Sequence, residues 1–436
     1  MTRVFASLFA LAVAIEGGLL TIVRARGLRE HLLLTISLLV ALNIFYITAV
    51  WLVTRTSTSS SSVAILICGA AVVFRLTVLP LEPTLSYDVY RYRWEGKLQE
   101  HGGNPYNSRP ADPDLSYLRD ETYDKIPGHD FKTVYGPVIE SMHLGTYKLV
   151  SSHTPDPARQ VFWFKLPGAL FDLATIAALM WLLSRRDLPS ERVLAYAWSP
   201  LIVIEFAGTG HHDSLVLFLI ATALALATSA RWWSVFTVLS IAAAAKIWPL
   251  ALFPAFVGWT GRYLLRPWQP LMLLPVAAVT AIPYWTNVME NAQFLSGFLG
   301  GWRNNDSLYG QILALTGDVY RAKYTAFALL GVFIAWTMLR RWPLDRAVLG
   351  TIVVMLAVSA NCHPWYLTWF VPLLCLMPAP ALLLWTALVP LAYETLFAWF
   401  AVGVWNGVSD TRWLIYVPVI SVAIVSWLLR RGGKTE

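Results

Sequence analysis

Residues 85–106 read LSYDVYRYRWEGKLQEHGGNPY, a charged and aromatic stretch that follows three apolar runs at 4–23, 32–54 and 63–80. It opens a polar excursion of roughly 70 residues, ending near residue 160, and connections of that length are functional or disordered. Its density of Tyr and Trp excludes the disordered class, which is poor in aromatics. Asp88, near the start, is the first candidate for chemistry at a membrane surface.

The rest of the chain has the composition of a protein that lives in lipid. Hydrophobic residues make up 57% and charged residues 14%, against roughly 25% charged in a soluble domain. Further apolar runs occupy 161–183, 193–207, 215–229, 232–245, 247–259, 271–285, 324–339, 347–360, 365–377, 381–400 and 413–429. The pattern predicts an all-α polytopic membrane protein of about 12–14 spans with a large first external loop. Several runs fall short of the about 20 residues that cross a bilayer, and read as tilted, broken or half-spans. The 21 Trp and 18 Tyr suit interfacial aromatic belts, although those clustered with charges in loops need another explanation. Residues 1–23 read as a retained span, because Glu16 interrupts the run and no small-residue cleavage pattern stands out.

The net charge of +7 is spread over short loops, which excludes a nucleic-acid surface and suits orientation signals. Arg185, Arg186 and Arg192 fall in one connection, Arg262 and Arg266 in another, Arg340, Arg341 and Arg346 in a third, and Arg430, Arg431 and Lys434 in the tail. With the spans above, all four lie on one side, the cytoplasmic one. Residues 82–160, 208–214, 287–307 and 361–364 then converge on the opposite face. Arg24, Arg26 and Arg29 disobey this assignment. The chain divides into N-terminal spans (1–80), an external loop carrying the acid (81–160), and spans with short external loops (161–436). Cys68, Cys362 and Cys375 offer neither a disulfide framework nor a metal spacing.

Within the large loop, Asp88, Arg91, Tyr92 and Glu95 share one face of a helix. An acid one turn from an arginine fits a general base beside a phosphate partner, and equally a surface Asp–Arg ion pair. Gly102-Gly103-Asn104-Pro105 ends that helix. Tyr135-Gly136-Pro137 begins an amphipathic stretch with Glu140, His143 and Lys148, suited to an interface. His211, His212 and Asp213 lie between two apolar spans; adjacent side chains diverge and no third His stands at a ligand spacing, so a polar active-site loop fits better than a metal. Lys246, inside AAAAKIWPLALF, reads either as a phosphate partner in the membrane or as a snorkelling side chain. His363, Trp365 and Tyr366 form another polar break able to bind a sugar ring or move a proton. Arg303, with Asn304, Asn305 and Asp306, supplies further candidate contacts.

Five segments in order, SYDVYRYRWEGKLQEHGGNPY, TVYGP, AWSPLIVIEFAGTGHHDSL, AAAAKIWPLALFP and NCHPWYLTW, resemble the GT-C glycosyltransferases, and in particular bacterial polyprenol-phosphate-mannose-dependent mannosyltransferases. The likeness covers most of 85–370. It implies a GT-C-like bundle in the inner (plasma) membrane that transfers a sugar, with mannose expected, from a polyprenyl-phosphate donor on the periplasmic or exterior face. The family's acid maps onto Asp88 as general base in an inverting displacement, with Arg91, Lys246 or His363 stabilising the leaving phosphate. A histidine in a late external loop assists in that family, which here is His363. The acceptor is a glycolipid, polysaccharide or protein. Positions 86–90, SYDVY, carry one acid where metal-dependent branches carry two, so no cofactor or metal is expected, with Glu95 or Asp213 the source of a second carboxylate if one is used. The competing reading is a transporter or flippase of lipid-linked sugars, which would show paired halves with matching broken helices. An acyltransferase using His363 as base leaves Asp88 without a role.

Overall fold

The structure, a computed structural model, describes residues 2–25, 31–55, 60–229, 231–260, 302–403, 405 and 407–432. Among them the fold is helical, and the β-structure is an isolated parallel bridge between Asn304 and Asn361. Helices α1 (Thr2–Arg24), α2 (Leu32–Arg55) and α3 (Ser61–Val78) precede α4 (Asp88–Glu100), α5 (Pro137–Ser151), α6 (Pro157–Phe164) and α7 (Leu166–Arg185). They are followed by α8 (Asp213–Ala227), α9 (Trp232–Ala245), α10 (Leu308–Thr316), α11 (Val319–Leu339), α12 (Leu344–Ala357), α13 (Pro380–Leu388) and α14 (Arg412–Gly432).

Among the described residues, seven helical stretches are long and apolar enough to cross a membrane: Arg3–Arg24, Leu32–Arg55, Ser61–Val78, Pro157–Arg185, Val319–Leu339, Pro380–Val402 and Arg412–Arg430. The chain is an all-α polytopic membrane protein. Asp213–Ala227, Trp232–Ala245 and Trp248–Trp259 are apolar but shorter. The run expected at 271–285, and Arg26, Arg29, Arg262, Arg266 and Lys434 of the charge pattern, lie outside the described residues.

The chain forms two compact units. One comprises Met1–Val78, Leu183–Val203 and Leu299–Glu436, the other Leu79–Leu182 and Ile204–Phe298. In the first unit, α1 packs on α2 and α3, and α2 also packs on α13 and on the segment 194–203. The continuous span expected over 193–207 is instead two short helices, Leu194–Ala197 and Pro200–Val203, with a π-helical turn Ile204–Gly208 behind them. Pro200 has no N–H to donate, so carbonyls of the preceding turn need other partners. Tyr46 Oη donates to Ala195 O at 2.5 Å and Arg75 Nη1 to Ala197 O at 2.7 Å. The Trp198 indole N–H donates to Ile67 O at 2.9 Å, fastening the broken segment to α3. The expected span at 365–377 is likewise interrupted, by a 3-10 helix Pro364–Trp369 and a single turn Val371–Leu374.

The second unit holds the large polar excursion, and its order comes from ion pairs to α4. Arg93 and Lys97 both reach Asp120 Oδ2 at 2.8 Å, and Arg93 Nε donates to Gln160 Oε1 at 2.8 Å. Helix α4 packs along α5 and against α6, and α5 packs on α9. Two glycines make these crossings close. A Cβ at Gly96 would lie 2.5 Å from the carbonyl oxygen of His143. One at Gly136 would lie 2.0 Å from Ala244 O, and the Gly136 N–H donates to Ala245 O at 3.0 Å, capping the end of α9. The TVYGP and AAAAK segments thus belong to one joint.

Gly96→Ala is expected to force α4 and α5 apart and to destabilise the unit by about 1–3 kcal/mol, as overpacking of a tight contact does. A melting curve of the detergent-purified variant checks this, and a midpoint equal to wild type would contradict the close crossing.

Candidate active site

Helix α4 opens on Asp88, and the positive end of the helix dipole favours an anion in that first turn. Tyr135 Oη donates to Asp88 Oδ2 at 3.3 Å, and His211 Nε2 lies 3.6 Å from the same oxygen. The Asp88 side chain is 25% exposed, so it meets solvent while its partners are buried. On its far side, His211 Nδ1 lies 3.0 Å from Glu205 Oε2 and 2.8 Å from Thr209 Oγ1. Glu205 is wholly buried on the π-helical turn. Burial disfavours a proton on the His211 ring, but Asp88 and Glu205 outweigh it and raise the group to about 9. The turn that presents His211 requires Gly210, which takes φ +83° with Lys165 side-chain atoms 2.7 Å from where a Cβ would stand.

One turn along α4 lies a buried layer of charge. Arg91 donates from Nε to Glu95 Oε1 at 2.6 Å, from Nη1 to Gly128 O at 2.9 Å and from Nη2 to Phe131 O at 2.8 Å. In the structure all three guanidinium nitrogens of Arg91 are thus directed to Glu95 and to the 128–131 turn. Glu95 Oε2 is 3.4 Å, and Glu140 Oε2 3.6 Å, from His143 Nδ1. Thr133 Oγ1 and Gln99 Nε2 donate to the two oxygens of Glu140 at 2.7 and 2.8 Å. Burial first, and the charge of Glu95 second, push the Glu140 carboxyl up. Burial acts the same way on Glu95, but Arg91 and His143 overcome it and hold this carboxyl well below the usual range.

The two adjacent histidines diverge, as expected. His212 Nε2 lies 3.0 Å from Phe164 O and must donate there, which leaves its Nδ1 as acceptor for His143 Nε2 at 3.3 Å. His143 Nδ1 then faces the Glu95–Glu140 pair as a second donor, and both carboxylates keep the His143 ring raised against its burial. Tyr92 fills the space between the rings, stacked 4.8 Å from His143 and 4.2 Å from His212. Glu95, Glu140 and His143 are the donor types a divalent ion would use, with ligand atoms within 4.8 Å of one another.

Lys246 follows the last turn of α9 in extended backbone. Its Nζ lies 2.6 Å from Asp213 Oδ2 and 5.5 Å from the centre of the Tyr135 ring. Asp213 is buried at the start of α8, again in a first turn. Tyr135 thus touches Asp88 through its hydroxyl and Lys246 through its face, which brings the four segments carrying Asp88, Tyr135, His211–Asp213 and Lys246 together.

Arg303, His363, Trp365 and Tyr366 belong to the other unit and form a second cluster. The Asn304–Asn361 bridge holds it, with Cys362 N–H donating to Asn304 O at 2.8 Å. Asp306, fully buried, takes Arg303 on one oxygen at 2.6 Å and Arg412 on the other at 2.8 Å. The His363 ring stacks on Trp365 at 4.3 Å and meets Tyr366 edge-on at 5.4 Å. Glu205 was missed by the sequence reading, although a lone carboxylate in an apolar run is itself a signal. Glu140 and His143, on the amphipathic helix α5, are both buried within the protein. Arg412 carried no such signal, because its partner lies 106 residues away.

Arg91→Ala is expected to strand Glu95 as an unpaired buried carboxylate, at a cost of about 3–5 kcal/mol. Its signature is a lowered melting midpoint with the apparent donor affinity of the surviving protein unchanged. A stable variant with weakened donor use would restore the phosphate role.

Relatives of the chain agree with the family resemblance of its five segments. A family model described as Alpha-(1->6)-mannopyranosyltransferase, N-terminal domain, matches residues 3–261, which include Asp88, Tyr135, Glu205, His211 and Lys246. The chain is 22% identical over 405 residues to Alpha-(1->6)-mannopyranosyltransferase A of Corynebacterium glutamicum, covering 80% of this chain and 78% of that protein. No solved structure matches it. The chain belongs to the alpha-(1->6)-mannopyranosyltransferase family, as a multi-pass membrane mannosyltransferase of GT-C type.

Proposed function

We propose that this mannosyltransferase takes mannose from a polyprenyl-phosphate donor and passes it, with inversion, to an acceptor hydroxyl on the non-cytoplasmic face. The observation that carries the reading is Asp88: a partly exposed carboxylate at a helix N-terminus, held on one oxygen by Tyr135 and His211. Asp88 accepts the proton of the acceptor hydroxyl as that oxygen bonds to the anomeric carbon. The bond from that carbon to the phosphate oxygen breaks, and the phosphate leaves with the electron pair as a dianion. Such a leaving group needs no protonation, so one carboxylate suffices where a glycosidase uses two. Lys246, at the Tyr135 face, is the cation proposed for the donor phosphate. His363, Trp365, Tyr366 and Arg303 are a second contact set, suited to a sugar ring by stacking and to a phosphate by charge. The linkage named for the relative, alpha-(1->6), is the product we assign to this chain. The large share of Arg in the connections expected on the other side supports the non-cytoplasmic placement.

With radiolabelled polyprenyl-phosphate mannose and membrane acceptors, Asp88→Asn is expected to lower transfer by about 10²–10⁴-fold, the range a general base supplies. Transfer surviving the substitution would remove Asp88 from the mechanism. Lys246→Ala is expected to raise the apparent KM for donor by roughly tenfold or more, as loss of a charged contact does, with acceptor KM unchanged. Equal effects on both would contradict the phosphate role.

A further inference from the structure

The proposed mechanism leaves one buried acid unexplained. Glu205 stands in the apolar run PLIVIEFAG, fully buried, where an isolated carboxylate is costly unless it is paired. The local backbone is unusual as well, because a π-helical turn occurs mostly as a single insertion at functional positions. That turn aims Glu205 at His211: the side chains meet at 3.0 Å, and the His211 N–H of the main chain donates to Glu205 O at 2.9 Å. Thr209 Oγ1, 3.2 Å from Glu205 Oε2, closes the same corner.

We infer that Glu205 is a positioning residue for transfer: it holds the His211 ring as a cation between two carboxylates, so that Nε2 pairs with Asp88 Oδ2 and orients that carboxylate toward the acceptor hydroxyl. The inference rests on the reading of Asp88 as the base. The proton inventory of the site favours such a device, because Glu205 Oε2 and Asp88 Oδ2 face the two ring nitrogens. If Nδ1 alone carried a proton, directed to Glu205, the Nε2 lone pair would face an Asp88 oxygen at 3.6 Å and repel it. With both nitrogens protonated, one cation bridges two carboxylates, and Tyr135 adds a neutral donor to Asp88. Among the described residues, the charged and titratable groups around His211 include Asp88 from α4, Glu205 from the π-helical turn, His212 beside it, and Tyr135 on the same Asp88 oxygen. Lys165, which packs on Gly210, is turned away, its Nζ donating to Leu79 O at 2.6 Å and Leu81 O at 2.7 Å. Glu205 is the one of these that supports the cation without itself meeting the acceptor, and the raised His211 ring agrees with that arrangement.

The test is the pH dependence of kcat for Glu205→Gln beside wild type and Asp88→Asn. Removing the anion lets His211 lose its second proton at lower pH. The variant is therefore expected to be roughly tenfold slower than wild type at about pH 8, within the range that misplacing a reacting group produces. At about pH 5.5, where the ring recovers its proton, it should return to within about twofold, with acceptor KM unchanged throughout. A fixed loss at every pH, or no loss at all, would overturn the role of Glu205. Activity retained by Asp88→Asn would instead bring down the reading of Asp88. Should Glu205→Gln fail to fold, ¹⁵N-imidazole spectra of wild type decide the matter, with His211 assigned by its absence from His211→Gln. The ring is expected to stay doubly protonated through pH 8, and a neutral ring at pH 7 sinks the inference.

Discussion

The ion pair of Arg91 with Glu95, sealed where α4 crosses α5, is the constraint from which the second unit is built. Both groups are buried, and removing two charges from water costs several kcal/mol per ion unless geometry and further hydrogen bonds offset it. Arg91 meets that condition by spending its other nitrogens on the 128–131 turn. Glu95 meets it through His143, which ties the pair to α5. From there the network runs through His212 to the carbonyl of Phe164, so α4, α5, α6 and the 209–212 loop are held by one set of charges. The absence of a side chain at Gly96 is what lets the two helices approach closely enough for this set to form.

That buried layer and the exposed acid divide the labour of α4. Residues 91, 95 and 143 balance one another and face inward. Asp88, one turn earlier, carries its charge to the surface, supported by Tyr135 and by the Glu205–His211 couple. The same residue types thus serve two ends, and burial decides which. A carboxylate that is fully paired in the interior is a structural anchor. One that keeps a quarter of its side chain in solvent, as Asp88 does, is placed to meet a ligand.

The first unit shows how a membrane chain tolerates broken helices. Pro200 interrupts the run after Ser199, and in lipid every freed carbonyl must find a donor. Tyr46 from α2 and Arg75 from α3 are such donors, and Trp198 donates from the broken segment back to a carbonyl of α3. The same unit closes the Asn304–Asn361 segment around Asp306, whose two arginines are Arg303, just before α10, and Arg412, at the start of α14. A polar cluster of this kind cannot be read from spacing, because its members are joined by the fold alone.

Much of the architecture was legible from composition and periodicity. Long apolar runs demand helices in lipid, and a polar, aromatic loop such as 85–106 demands a folded domain outside it. The helix that Asp88 opens was legible too, because a polar, aromatic stretch bounded by Gly102-Gly103-Asn104-Pro105 has few other ways to fold. The partner of Arg91 was not, since an i, i+3 acid and an i, i+4 acid are equally reachable along a helix, and only the packing of α5 and the 128–131 turn selects Glu95. Nor was the place of Lys246, which depends on where α9 ends against Gly136. Glu205 marks the limit most clearly. Its cost in an apolar run is visible in the sequence, but its use is set by a π-helical turn and by a histidine whose other nitrogen faces Asp88, and those are properties of three-dimensional packing.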